Sequence, residues 1–138
     1  MSRNPRVMSI LRDEAGGAMV EFAIAATVFI TMLLGILEFG FAAWGRNSVT
    51  ADAREGARYA IVHGGQSGRI ADSTMIADYV KSKTSLDNSI VIVPTWSDPT
   101  NKAPGSTIAV KVKHAVPRRG PFIAAHTDSS TSTMIIVY

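Results

Sequence analysis

Cysteine is absent from this chain of 138 residues, and histidine occurs only three times. Without cysteine the chain can form no disulfide framework, no thiolate metal site and no cysteine nucleophile. His63, His114 and His126 lack the spacing of metal ligands, and no nucleophile elbow surrounds any serine. The sequence therefore predicts neither an enzyme nor a bound cofactor, and no small-molecule substrate.

The net charge of the chain is also small, formally +3. The one basic cluster lies late in the chain and consists of Lys111, Lys113, His114, Arg118 and Arg119. Nucleic-acid binding would require stacking aromatics nearby, and only Phe122 is available, so we expect no nucleic-acid partner. A solvated strand face, with His114 on its polar side, and a surface for an acidic polymer or partner both remain open.

Charged residues are missing altogether between Phe22 and Leu37. With its apolar flanks this segment gives a helix of about 27 residues, roughly 40 Å long, which exceeds the roughly 30 Å of bilayer hydrocarbon. A cleaved secretory signal would be shorter and followed by a small-residue cleavage site, and a soluble domain this small could hardly bury such a helix. The pattern predicts one transmembrane helix.

The flanks of this segment divide the chain into a basic leader (1–16), a transmembrane helix (17–45) and a soluble domain (46–138). Arginines at positions 3, 6 and 12 favour a cytoplasmic N-terminus and an exported domain. The basic residues that follow the helix, Arg46, Arg54 and Arg58, count against this orientation without reversing it.

One face of the apolar helix carries a ladder of small residues. At 100° per residue its members lie in steps of four, with a carboxylate beside them: Ala23, Thr27, Thr31, Gly35 and Glu38. Small residues in such a row let a second helix approach closely, although an alanine-rich span can produce the row by chance. If the ladder packs, the helix associates with others; Glu38 also lies close enough to the end to reach the interface.

The segment from Gly16 and Gly17 through Glu21 and Phe22 resembles the processing site of type IV pilin-like proteins, in the form used by the tight-adherence (Tad, or Flp) pilus. Downstream, the run of Arg54, Glu55, Gly56, Ala57 and Arg58 is similar to the segment that follows the span in TadE-like proteins. The resemblance covers about residues 12–62. Major pilins of this system usually have tyrosine after the glutamate and are far shorter, so this chain is not expected to be the main fibre subunit.

The resemblance implies a TadE-like minor pseudopilin or pilus-assembly protein of the bacterial inner membrane, either retained there or built into the fibre. It also implies cleavage between Gly16 and Gly17 by a prepilin-type peptidase, and pilin-like proteins and the Tad assembly machinery as partners. Glu21, one helical turn after Gly17, could then neutralise the new ammonium. The alternatives are a membrane-tethered binding module and a secreted domain released from its span.

The soluble half predicts an α+β fold. Apolar spacing continues the long helix through residues 46–62, with Val49, Ala53, Ala57, Ala60 and Ile61 on one side, and indicates a second helix at about 73–83. Branched and alternating residues then predict three strands of a small antiparallel sheet. We place these strands at Ile90–Val93, where Pro94 ends the run, Thr107–Val116 and Thr133–Tyr138.

Overall fold

A computed structural model describes residues 5–87, 89–118 and 120–137, with side chains from Gly16 onward. Arg3, Arg119 and Tyr138, to which the sequence analysis gave roles, lie outside the described residues, as do the side chains of Arg6 and Arg12. The elements are two helices followed by three strands: α1 (Pro5–Val62), α2 (Ser73–Lys83), β1 (Ile90–Trp96), β2 (Thr107–Val116) and β3 (His126–Ile135). The predicted α+β class is confirmed, and so is the continuation of the apolar helix to residue 62.

The chain divides within α1 into unit 1 (Met1–Phe39) and unit 2 (Gly40–Tyr138). In unit 1, the described side chains of α1 are exposed or only partly covered, including large apolar ones such as Phe22, Phe29 and Phe39. Helix α1 is long and apolar enough to cross a membrane, and its most apolar stretch is unburied. The apolar side chains of unit 1 therefore find no protein core within the described chain.

Unit 2 holds the core. Helix α1 contributes small residues at helical spacing, and the predicted face is confirmed because Val49, Ala53, Ala57 and Ala60 are at most 1% exposed. Opposite them lie the buried branched side chains of α2 and of the sheet, which are Ile76, Val80, Ile90, Ile108, Val110 and Val112. Small residues on the helix allow its backbone to approach the sheet closely.

Helix α2 has defined ends. The side chain of Asp72 accepts a hydrogen bond from the backbone N–H of Met75 at 2.8 Å, which caps the first turn and lowers the pKa of that carboxyl. Lys81 and Lys83 lie in the last turn, where cations interact favourably with the helix dipole. These signals, together with the buried pair Ile76 and Val80, explain why the predicted bounds match the structure.

The three strands form an antiparallel sheet in the order β1-β2-β3. His114 of β2 pairs with Ile90 of β1 and with Asp128 of β3, and all three are buried. On the other face Lys111 pairs with Val93 and Thr131, and all three are exposed. The inner face thus packs on the core and the outer face is open to solvent, as period-two alternation requires.

Two strand predictions were wrong at their ends. Strand β1 does not stop before Pro94 but continues to Trp96, which is possible because β1 is an edge strand and proline needs no ladder donor there. Strand β3 begins at His126 and ends at Ile135, whereas we predicted Thr133–Tyr138. Most of β3 is serine and threonine, so it lacks the apolar alternation used to locate strands, and pairing with β2 determines its extent.

Candidate functional site

The predicted processing site lies in an uninterrupted part of α1. Gly16 and Gly17 are exposed, and a Cβ added at either would meet no atom within 4 Å. Glu21 and Phe22 are exposed as well, with 74% of Phe22 accessible. Since Gly17 and Glu21 are four residues apart in one helix, they lie on the same face, about 6 Å apart along the axis.

The glycine pair is also the point at which this part of α1 is easiest to open. Each glycine in a helix interior costs about 1 kcal/mol relative to alanine, so two in succession weaken the helix locally by about 2 kcal/mol. A peptidase that takes its substrate in extended form must unwind the helix at the scissile bond. Gly16 and Gly17 lower the cost of unwinding α1 at this point, and a Cβ added at either position meets no described atom within 4 Å.

Most of the small-residue ladder is exposed on unit 1, while Gly35 and Glu38 are partly covered. Ala23, Thr27 and Thr31 are exposed, and an added Cβ on Gly35 would meet no atom within 4 Å. The threonine hydroxyls donate back along the helix, from Thr27 to the Ala23 carbonyl at 2.8 Å and from Thr31 to the Thr27 carbonyl at 2.7 Å. The ladder therefore presents small side chains whose donors are already satisfied, a surface compatible with lipid or with a packed helix.

In unit 2, part of the family segment 54–58 is buried in the core and part is exposed to solvent. Gly56 and Ala57 are buried, and a Cβ on Gly56 would approach the methyl groups of Val80 and Val110 at 2.9 and 3.0 Å. Arg54 and Arg58 point to the exposed side of α1. Glycine is thus required where α1 crosses beneath α2 and β2, which explains the apolar half of this motif by close approach rather than by chemistry.

Glu55 links the family segment to α2. Its carboxylate accepts a hydrogen bond from the hydroxyl of Tyr79 at 2.7 Å, and this bond raises the pKa of Tyr79 because ionising the phenol would break it. The Tyr79 ring stacks on Tyr59 with centroids 4.3 Å apart, and Tyr59 stacks in turn on His63 at 4.2 Å. These contacts fix α2 against α1 beside the close approach at Gly56.

A buried polar row at one end of the sheet was not expected from the sequence. His114, predicted on the polar side of β2, is only 4% exposed, and its Nε2 lies 3.2 Å from Asp87. Asp128, also 4% exposed, lies 3.6 Å from both Arg46 and His126. The signal was available, because His114 shares the parity of Val110 and Val112 and so belongs on the inner face.

Asp87 is the most strongly held carboxylate of this row. The hydroxyl and then the backbone N–H of Ser89 donate to it, and these bonds, aided by His114, lower the pKa of Asp87. Nδ1 of His114 and Oδ2 of Asp128 have no hydrogen-bond partner among the described atoms. Throughout the described ranges, no group of three or more histidine, aspartate or glutamate side chains could hold a metal ion.

The basic residues that are close in the sequence, from Lys111 to Arg119, do not share one face of the sheet. Lys111 and Lys113 lie exposed on the outer face of β2, in agreement with a solvated strand face, whereas His114 is buried on the inner face. Arg118 lies in the loop after β2, where its Nε donates to the Gly120 carbonyl at 3.1 Å. The described members of the cluster on β2 therefore lie on opposite faces of the sheet.

Residues 16–58 match the model of the family described as TadE-like protein. The segment is TadE-like. The match begins at the first glycine of the processing site and ends at the last arginine of the family segment, so it contains both motifs on which the resemblance rests. No curated protein and no solved structure gives a significant match.

The TadE-like segment spans the two units and carries a different surface in each. In unit 1 it holds the exposed glycine pair and the ladder, and in unit 2 it holds Gly56 and Ala57 beneath the core. The same segment includes the apolar part of the one described helix that is long and apolar enough to cross a membrane.

Proposed function

We propose that this chain is a minor pseudopilin or pilus-assembly protein of the Tad (Flp) pilus, which inserts through α1 and assembles through the same helix with pilin-like partners. The observation that carries the proposal is the exposed ladder and Glu21 on an unburied apolar helix, within a segment that matches the TadE-like family. The proposed role is structural, and the partners are other helices rather than a substrate.

Processing by a prepilin-type peptidase is the first step of this proposal. Cleavage between Gly16 and Gly17 would remove the basic leader and leave a mature chain with Glu21 as its fifth residue. The open, helix-weakening glycine pair supports access of a protease to that bond. The intact mass of the protein from native membranes tests it, because a chain that still begins at residue 1 or 2 would contradict processing.

The second step is neutralisation of the new N-terminus. The ammonium at Gly17 and the carboxylate of Glu21 lie one turn apart on one face, so they can pair within a helix or between neighbouring helices of a bundle. A charge left unpaired among apolar helices typically costs about 3–5 kcal/mol. Pairing therefore favours assembly without requiring any contact from unit 2.

Replacement of Glu21 tests the assembling role. Glu21→Ala should insert and accumulate normally, since the span becomes more apolar, yet it should fail to support pili and should no longer co-purify with pilin-like partners. Glu21→Asp keeps the charge on a shorter side chain and should restore part of both. Pilus counts and pull-down of the small pilin from the same membranes give the two measurements.

Wild-type pili and partner recovery in Glu21→Ala would instead favour the alternative, a membrane-tethered binding module for which α1 is only an anchor.

A reporter fusion tests the proposed orientation of the chain in the membrane. Alkaline phosphatase fused to the C-terminus should be active, because the leader arginines favour a cytoplasmic N-terminus and hence an exported unit 2. Activity of a cytoplasmic reporter at that position, with an inactive phosphatase, would reverse the topology.

A further inference from the structure

Strand β3 lies at one edge of the sheet, since within the described ranges it pairs with β2 alone. The N–H of Ile136, directly after β3, donates to the carbonyl of Ser106, directly before β2, at 2.8 Å. Successive residues of an antiparallel strand turn their backbone groups to opposite sides, so the even-numbered residues of β3 bond to β2 and the odd-numbered ones point away from it. The outward backbone groups belong to residues whose side chains are also exposed, which are Thr127, Ser129, Thr131, Thr133 and Ile135.

The opposite edge of the sheet, on β1, is protected against a further strand. The N–H of Ser97, directly after β1, donates to the Thr107 carbonyl of β2 at 2.9 Å, so the even-numbered residues of β1 point outward. One of these is Pro94, which offers no N–H to a further strand, and proline on an edge is a known device against unwanted pairing. Strand β3 has neither proline nor lysine, and its register with β2 is unbroken. The edge of β3 is therefore the one open to pairing.

A polar cavity of about 280 Å³ opens along the same edge. It is lined by residues of α1 and β3, which are Arg46, Val49, Thr50, Thr127, Asp128 and Ser129. Its described lining includes no residue of β2, so the cavity lies on the side of β3 that faces away from the rest of the sheet. One water occupies about 30 Å³ of liquid, so the cavity has room for the polar end of a long side chain.

Asp128 brings an unsatisfied carboxylate oxygen to this cavity. Its side chain is only 3% exposed, and Oδ2 accepts no hydrogen bond from any described atom. Two basic groups approach without bonding, because Nε of Arg46 lies 3.6 Å from Oδ1 and Nε2 of His126 lies 3.6 Å from Oδ2. The Arg46 side chain is 81% exposed, so solvent screens its attraction. A buried carboxylate oxygen without a donor costs free energy that a bound donor would recover.

Together these features define the chemistry of a ligand. Outward N–H and C=O groups that recur every second residue, about 7 Å apart, are matched by the backbone of another extended chain. A side chain of that chain opposite Asp128 would lie on the inner face, at the cavity. Lysine or arginine there would donate to Oδ2 and bring the opposite charge, whereas glutamate would place two carboxylates together. The exposed hydroxyls of Thr131 and Thr133 favour threonine or serine on the outer face.

We propose that the free edge of β3 binds an extended segment of a partner polypeptide, which adds a fourth strand to the sheet and places a lysine or arginine against Asp128. All residues of this site belong to unit 2. The proposal goes beyond assembly through the apolar part of α1, and its failure would leave that proposed function untouched.

Hydrogen exchange of single amides tests the docking on the full chain in detergent micelles. The probe is a seven-residue synthetic peptide in which threonine alternates with serine and the central residue is lysine. At saturating peptide, the outward amides of Ser129, Thr131 and Thr133 should exchange at least fivefold more slowly, because the added strand accepts their hydrogen bonds. The amides of Ile92 and Trp96, which point outward from the protected edge, are the internal control and should not change.

Two substitutions at one position separate the backbone from the side chain. Thr131→Pro removes an outward N–H that the sheet itself does not use, so the protein should fold and the slowing at the neighbouring amides should disappear. Thr131→Val keeps the N–H and should bind the peptide as wild type does. Urea titration verifies that both variants are folded. Slowing that persists in folded Thr131→Pro, or that is absent from β3 in the wild type, would overturn docking at this edge.

A change in the peptide tests the role of Asp128 without altering the protein. Norleucine in place of the central lysine removes the donor and the charge, and should weaken binding about fivefold, as loss of an opposite-charge pair across strands predicts. Asp128→Asn should bind both peptides equally. Equal affinity of the wild type for both peptides would overturn the contact with Asp128. Slowing of the same β3 amides that grows with protein concentration, without peptide, would assign the edge to a second copy of this chain and overturn the proposed partner.

Discussion

The two halves of α1 differ in which side chains they hide. In unit 1 the helix presents large residues such as Phe29 and Leu37 to the outside and buries none of its described side chains. In unit 2 its buried residues are small, with Gly56 and Ala57 enclosed between α2 and the sheet. Hydrophobicity alone would predict that the large apolar residues are buried and the small ones exposed. The surroundings of each half of α1, and not its apolar content, therefore determine which residues it carries.

This difference separates two ways of using an apolar helix. Large exposed side chains suit contact with lipid, where the hydrophobic effect drives insertion and helix association depends on close packing of small residues. Small buried side chains suit contact with branched residues of a protein core, where the helix backbone must come near the sheet. The ladder of unit 1 consists of small residues among large ones, so a second helix could approach it closely within lipid. For this reason we propose the ladder as the assembly surface.

Truncating an isoleucine should give the largest difference in stability between the two units, because the described core lies in unit 2. Ile76→Ala leaves a cavity beneath α1 at a site that is 0% exposed and should lower the free energy of unfolding of unit 2 by about 2–5 kcal/mol. Ile36→Ala, 57% exposed in unit 1, should change it by less than about 0.5 kcal/mol. Urea titration of the full chain in detergent micelles, followed by Trp96 fluorescence in a Trp44→Phe background, measures both. Equal losses would contradict the division into two units.

Adding a methyl group to a glycine should show the same contrast at smaller magnitude. Gly56→Ala forces a Cβ to within 3.0 Å of two buried valines, and overpacking of about 1–3 kcal/mol should exceed the gain of about 1 kcal/mol in helix propensity. Gly35→Ala meets no atom within 4 Å and should not lower the stability of unit 2. The same titration reports both, and a stabilised Gly56→Ala would show that α1 does not pack closely there.

Gly35 also allows assembly to be separated from folding. Gly35→Leu places a large side chain on the ladder and should block close helix approach, so recovery of pilin-like partners should fall while unit 2 unfolds at the wild-type urea concentration. Gly40→Leu, the same change at an exposed glycine outside the ladder, is the control. Normal partner recovery in Gly35→Leu would remove the ladder from the proposed interface.

Most of the architecture was predictable because its signals are local. The uncharged run from Phe22 to Leu37, the alternation along β2 and the spacing of Ile76 and Val80 each depend on the chain near them. Strand β3 was misplaced because its serines and threonines become a strand only through pairing with β2. The end of β1 was missed because only the sheet order makes Pro94 an edge residue.

The candidate sites divide in the same manner. The glycine pair and Glu21 form a short motif, so the sequence alone located them. The contact of Gly56 with Val110 joins residues 54 positions apart, and the row of Asp87, His114 and Asp128 joins a loop to two strands. No local pattern contains such information, although strand parity alone would have placed His114 inside.

The smallest expected effect concerns the pH dependence of unit 2. Because Ser89 lowers the pKa of Asp87 in the folded state, the ionised carboxylate stabilises unit 2 above the ordinary value of 3.8, and this stabilisation is lost as the pH falls through the lowered pKa. Ser89→Ala should therefore unfold more easily than wild type at pH 7, and the difference should shrink toward pH 3. Losing the hydroxyl also has a pH-independent effect, which shifts the whole stability profile equally, so the stabilities at pH 7 and pH 3 are compared.

Ser129→Ala, the same change at an exposed site on the outer face of β3, should give a profile parallel to wild type. Urea midpoints between pH 3 and pH 7 measure all three proteins, and a Ser89→Ala profile parallel to wild type would show that Ser89 does not control the carboxylate. Neither substitution should alter insertion of α1, because both lie in unit 2, and this confines the pH effect to the packed half of the molecule.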